Sequence, residues 1–195
     1  MFFVMIDILF QTILPFILSA LIVILITVIA EKYGTKIGGI LGTLPSTIVI
    51  AFIFISINRG VIFASKSAIV VPAEMAINLL FLVVISLLAY RSFSLALSVS
   101  LGFWAILSTI LYFANIENIL ISIVFYVFSL VFSFTFLEKI KRIESNKKVK
   151  VHYTKKKILF RGFLAGIVIS IAVLLSTVAS TLSGIFSIFP AIFLS

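Results

Sequence analysis

Long apolar blocks separated by short polar segments dominate the chain. Six of these blocks contain about twenty residues each, which is the length that an α-helix needs to cross the hydrocarbon core of a bilayer. We therefore predict six membrane-spanning helices, at residues 8–30, 37–57, 68–90, 93–113, 119–137 and 158–180. The last apolar block begins near Gly184 and is too short to cross, so we predict a partial seventh span there.

The amino-acid composition leads to the same class of protein. Hydrophobic residues make up 63% of the 195 residues, and charged residues make up only 11%. A soluble domain of this size has too little interior to hide so much apolar surface. The composition therefore excludes a disordered chain, a disulfide-rich scaffold and a cytosolic enzyme. The predicted fold class is an all-α, polytopic transmembrane helical bundle with about six full spans plus a partial seventh.

Residues that carry catalytic or metal chemistry are scarce. The chain has no cysteine, one histidine and six carboxylates. Their spacing shows neither a nucleophile–base pair nor a cluster of metal ligands. We therefore predict that the protein is not an enzyme, that it has no catalytic residues, and that it binds no metal or cofactor.

The basic residues fall on one side of the predicted bundle. If the chain crosses at every predicted segment, thirteen of the fifteen Lys and Arg residues share one side, and only Arg59 and Lys66 lie on the other. The positive-inside rule then makes the loop at residues 138–157 cytoplasmic and places the N-terminus outside a cell membrane. Anionic lipid headgroups are the predicted partners between Lys139 and Arg161, whereas nucleic acid is not a predicted partner.

The two ends of the chain resemble each other weakly. A gapless shift of 145 residues aligns residues 12–50 with residues 157–195, and 11 of the 39 pairs are identical. Two pairs are more telling than the rest, Gly39 with Gly184 and Pro45 with Pro190. The other identities are aliphatic or alanine matches, which an isoleucine-rich chain also produces by coincidence.

A real repeat would have consequences for the architecture. Its period contains five segments, so the second copy would enter the membrane upside down, as in many secondary transporters. The chain then divides into a first membrane unit of five helices (1–137), the basic loop (138–157) and the start of a second membrane unit (158–195). We expect either a longer protein or a second copy of this chain, in a homo-oligomer, to complete the second unit.

Glycine and proline concentrate in the second predicted span. A proline near the middle of a span removes a backbone donor, and neighbouring hydroxyls can satisfy the carbonyl that is freed. Paired breaks in two repeats indicate a transporter site. The predicted substrate-binding residues are Gly38, Gly39, Gly42, Thr43, Pro45, Ser46 and Thr47 in the first copy, and Gly184, Ser187 and Pro190 in the second. The alternative is that these small residues only let helices pack closely.

One carboxylate lies clearly within a predicted span. Glu74 is near the start of the segment at residues 68–90, and Asn78 follows one helical turn later. An ionisable residue inside the membrane is a functional candidate, so both are predicted coupling residues. The alternative is an interfacial, half-solvated glutamate that pairs with Lys66.

A short part of the chain resembles a known family. The stretch from Gly39 to Thr47, followed by Arg59-Gly60, resembles the small GlpM-like bacterial inner-membrane proteins, whose pattern is a glycine-rich turn, a proline and threonine, and an Arg-Gly loop. This resemblance implies no known chemistry. The five-helix inverted period also resembles the drug/metabolite transporter architecture, in helix count alone.

These observations favour a secondary transporter or permease for a small solute or ion, with a site near the midplane at the two broken segments. A non-catalytic membrane scaffold or subunit is the alternative, and a membrane enzyme ranks third. Transport predicts water at both breaks, whereas a scaffold predicts dry helix packing.

Overall fold

A computed structural model of the chain describes residues 2–33, 46–140 and 153–190, with side chains described at residues 11–33, 47–138 and 153–190. Within these ranges the chain is helical and contains no strand. The elements are α1 (Phe2–Tyr33), α2 (Ser46–Arg59), α3 (Val61–Ile69), α4 (Val71–Leu88), α5 (Phe93–Ala114), α6 (Ile119–Thr135), a π-helical turn (Phe136–Ile140), α7 (Lys155–Leu175) and α8 (Ser180–Phe186).

Five helical stretches are long and apolar enough to cross a membrane. They are Gln11–Tyr33, Val61–Leu88, Phe93–Ala114, Ile119–Glu138 and Lys155–Leu175. Each overlaps one of the predicted spans, which confirms an all-helical chain with several apolar helices of spanning length. The predicted span at residues 37–57 is represented by a shorter apolar helix, Thr47–Arg59, because residues 34–45 lie outside the described part.

Two of the predicted boundaries are wrong. The third apolar stretch begins at Val61 rather than at residue 68, and it is interrupted at Val70 because Pro72 has no amide hydrogen for the first turn of α4. The helix predicted to reach residue 180 ends at Leu175. There the Ser176 and Thr177 hydroxyls donate to carbonyls three residues earlier, at 2.6 and 2.7 Å, and so compete with the helical amides.

The described chain forms two compact units. The first unit comprises residues 1–65 and 147–195, and the second unit comprises residues 66–146. Helices α1 and α7 pack together within the first of these compact units. The sequence-based division at residues 137 and 157 stays a prediction about repeats.

A close antiparallel crossing of α1 and α7 organises the first unit. An added Cβ on Gly162 would lie 2.6 Å from the Ile24 side chain and 2.9 Å from the Ala20 carbonyl oxygen. One turn later, an added Cβ on Gly166 would lie 2.6 Å from the ring of Phe16. Small residues four apart allow such an approach between membrane helices. The sequence pattern does not single out Gly162 or Gly166, the two glycines that make this crossing possible.

A hydrogen bond and an apolar cluster complete the first unit. Ser170 Oγ donates to the carbonyl oxygen of Thr12 at 2.9 Å and so joins α7 to α1. On another side of α7, Ile169 and Val173 pack against α2 and against Ala64. The α2 residues of this cluster are Ile50, Ala51, Phe54 and Ile55.

The second unit is built around α4, which packs against both α5 and α6. The buried positions of α5 recur every three or four residues, at Ala96, Ser100, Trp104, Ser108 and Leu111. Those of α6 are all serines, at Ser122, Ser129 and Ser133. Small side chains at these positions let the helices approach closely. The opposite face of α6 is apolar and exposed, as expected of a face that meets lipid.

The Gly166 contact yields a test of this packing. Because the Cβ of Gly166→Ala would also meet the Phe16 carbonyl oxygen at 2.9 Å, we expect a loss of about 1–3 kcal/mol in unfolding free energy. Unfolding of the purified protein in mixed micelles measures this loss. Gly102→Ala in α5 is the matched control, since its Cβ would meet nothing within 4 Å. Equal stability of the two variants would contradict the α1–α7 crossing.

Candidate functional site

Most of the first predicted break lies outside the described residues. Gly38, Gly39, Gly42, Thr43 and Pro45 belong to that undescribed part. The structure describes α2 from Ser46 onwards, and Thr47 is half-buried near the start of this described helix.

The second predicted break is described up to its proline. Gly184, Ser187 and Pro190 are all buried, and α8 ends just before Ser187. The Ser187 hydroxyl donates to the Gly184 carbonyl oxygen at 2.6 Å. This hydroxyl therefore satisfies a local backbone group, as hydroxyls in membrane helices commonly do.

Glu74 has the most unusual environment of the predicted residues. It is 0% exposed in the first turn of α4, beside the buried Ala73, Ala76 and Ile77. It is also the fourteenth of the 28 residues in the apolar stretch Val61–Leu88. The structure therefore shows a fully buried glutamate, not the half-solvated one that the sequence left open. Asn78 is half-buried one turn further along α4.

The partner of Glu74 is a hydroxyl on the neighbouring helix. Ser108 Oγ donates to the two carboxyl oxygens, with distances of 2.9 Å to Oε1 and 3.1 Å to Oε2. The next residue behaves differently, because Thr109 Oγ1 donates to the Ala105 carbonyl oxygen of its own helix at 2.7 Å. Ser108 therefore forms a bridge between α4 and α5 instead of the usual bond within a helix.

Trp104 completes this environment. It lies one turn before Ser108 on the buried face of α5, is 7% exposed, and its side chain interacts with the carboxyl group of Glu74. The indole nitrogen is a donor only, so it can offer the carboxyl group a hydrogen but no lone pair. Ser108 is six residues before the end of α5 at Ala114, which places the pair about 9 Å inside that end.

Charged groups are otherwise absent from these three helices. Glu74 is the only Asp, Glu, Lys or Arg residue in α4, α5 and α6. Lys66, the partner considered from the sequence, is exposed, and the described residues form no ion pair with Glu74. An isolated charge in a water-free interior is costly, so the site suits a proton or another positive ligand. No group of three or more His, Asp or Glu side chains that could hold a metal occurs in the described part of the chain.

Sequence reasoning found the carboxylate but missed its two partners. Neither Trp104 nor Ser108 is singled out by the sequence pattern. Their four-residue spacing is a signal that they share one helix face. It becomes informative only once the register of the α4–α5 hairpin is known.

Comparison with known proteins identifies the family. Residues 12–117 match the model of a family described as "Protein of unknown function (DUF3147)". The chain belongs to this family. The match covers Glu74, Trp104 and Ser108, so the site lies within the part that defines a DUF3147 protein. Neither the curated proteins nor the solved structures contain a match, and the family match does not bear on the resemblance to GlpM-like proteins.

The Ser108–Glu74 bridge can be tested by truncating the hydroxyl. Ser108→Ala leaves a buried carboxyl group with one donor fewer, so we expect a loss of about 1–3 kcal/mol in unfolding free energy. Ser100→Ala is the matched control. Ser100 is also 0% exposed on α5, and its hydroxyl has no hydrogen-bond partner among the described residues. We expect that control to change stability by less than about 0.5 kcal/mol, and equal losses would contradict the bridge.

Proposed function

We propose that this DUF3147 protein is a small secondary transporter or permease of a small solute or ion. In this proposal Glu74 binds the coupling ion, and Asn78 supports it from the next turn. The observation that carries the proposal is the fully buried carboxyl group of Glu74, which lies in an apolar helix unit and has no basic partner among the described residues.

Helix packing alone does not explain a buried carboxyl group at position 74. Replacing a buried ionic group by an apolar side chain of similar volume is often neutral or stabilising. Helix packing therefore gives no reason to retain a glutamate there. Ionisable residues that persist inside membrane spans typically form ion pathways or proton relays.

The solute site is proposed at the two broken segments. It would use Gly38, Gly39, Gly42, Thr43, Pro45, Ser46 and Thr47 with Gly184, Ser187 and Pro190. The break between α7 and α8 supports a discontinuous helix at the second of these segments. Discontinuous helices in matching repeats are a common site of solute binding. The inverted repeat and its completion by a second copy of the chain are parts of this proposal.

The membrane placement follows the charges. We propose a multipass protein of the cell membrane, with the N-terminus outside and the loop at residues 138–157 in the cytoplasm. The basic residues between Lys139 and Arg161 would contact anionic lipid headgroups. No enzymatic activity is proposed.

A non-catalytic membrane scaffold or subunit is the second candidate, and two observations favour it. Gly162 and Gly166 serve close helix packing in α7. The Ser187 hydroxyl already satisfies the Gly184 carbonyl. A scaffold predicts that both breaks stay dry.

Water access distinguishes the two candidates, and the absence of native cysteine makes it measurable. We expect single cysteines at Thr43 and Ser187 to react with membrane-impermeant thiol reagents, because solute must reach both breaks from water. Cysteines at Lys148 and Glu117 are the topology controls and should react from opposite sides. Glu117 is preferable to Asn118, whose side chain accepts the Leu120 amide at 2.8 Å and caps α6. If the cysteines at both breaks fail to react while the two control cysteines react, the scaffold is favoured.

A further inference from the structure

We infer that the ion bound at Glu74 is a proton and not a metal cation. This inference deepens the proposed function and rests on the role given there to Glu74.

The hydrogen-bond chemistry of the site favours a proton. Ser108 directs its hydrogen at the carboxyl oxygens, and the indole of Trp104 has no acceptor to offer. A metal cation needs several oxygen ligands with their lone pairs turned towards it. To bind one here, Ser108 would have to turn its hydrogen away from the carboxyl group, and Trp104 would supply no oxygen ligand. A proton needs only one carboxyl oxygen, and both donors remain usable.

The helices that pack against α4 carry few titratable side chains. From α5, Tyr112 lies one turn beyond Ser108, and from α6, Tyr126 lies one turn beyond the buried Ser122. The hydrogen bonds shown for the carboxyl group come from Ser108 and from neither tyrosine. In α3, Lys66 is exposed. The site should therefore take up one proton with a simple titration.

Access of the proton requires movement. Glu74 is 0% exposed and Ser108 is 5% exposed in this structure, so exchange with water needs a local opening of the α4–α5 contact. The interruption at Val70 and Pro72 lies within one turn of Glu74. It gives α4 a break at which it can tilt, because proline removes one helical hydrogen bond.

Labelling with an apolar carbodiimide tests the inference directly. The reagent dissolves in the bilayer and reacts with a protonated carboxyl group. The carboxyl proton moves to one carbodiimide nitrogen, the carboxyl oxygen bonds to the central carbon, and the acyl group then shifts to nitrogen. No group leaves, so mass spectrometry of the reconstituted wild-type protein finds the whole reagent added to Glu74.

A proton site predicts a specific pattern of labelling. Above the titration midpoint, labelling at Glu74 should fall about tenfold for each pH unit. It should be unchanged by added Na⁺, K⁺ or Ca²⁺. Ser108→Ala should shift this pH profile, whereas Ser100→Ala should not. Glu74→Gln should remove the adduct at this peptide, and the exposed Glu117 serves as a carboxyl group outside the site.

Two outcomes would overturn the inference. Protection of Glu74 by a metal cation would identify a cation site and leave the proposed transport intact. Failure of folded protein to label at Glu74 at any pH would show that no exchangeable proton is held there. Labelling together with unreactive cysteines at Thr43 and Ser187 supports the proton site and rejects the proposed solute path, so the two proposals fail separately.

Discussion

Hydrocarbon offers no hydrogen-bond partner, and this constraint explains most of what the polar residues of the described chain do. Backbone groups are satisfied within helices, and hydroxyls turn back onto their own helix, as Thr27 does with the Val23 carbonyl oxygen at 2.7 Å. The hydroxyls of Ser170 and Ser108 instead join separate helices. Ser170 bonds a carbonyl of α1, and Ser108 bonds the carboxyl group of Glu74. The first bond strengthens the crossing of α1 and α7. The second gives a hydrogen-bond partner to a carboxyl group that hydrocarbon disfavours.

Both units of the chain bring helices close together through small side chains, but the purpose differs between the units. In the first unit, glycines bring α7 into contact with the backbone of α1. In the second unit, serines and alanines bring α4 close to α5 and α6, and they leave room for one ionisable side chain. The difference is the basis of our proposal, because a helix contact made only for stability has no need of a carboxyl group.

The sequence predicted an all-helical chain with helices of spanning length, and it placed Glu74 within one of the apolar segments. It misplaced the start of the third apolar stretch because the charged Lys66 precedes residue 68, whereas the helix that begins at Val61 continues through this lysine. It missed Ser108 and Trp104 for another reason. Side chains that meet across a hairpin are separated by about thirty residues, and their register depends on the turn between the helices. Close glycine packing was expected near Gly38, whereas the described example lies at Gly162 and Gly166.

The central claim is that Glu74 is retained for function and at no benefit to stability. The most direct measurement is the unfolding free energy of the double variant Glu74→Met/Ser108→Ala, which replaces both partners by apolar side chains. The account predicts a protein as stable as the wild type, or more stable by about 1–4 kcal/mol. A loss of about 3 kcal/mol or more would contradict it, because the carboxyl group would then be a structural link between α4 and α5.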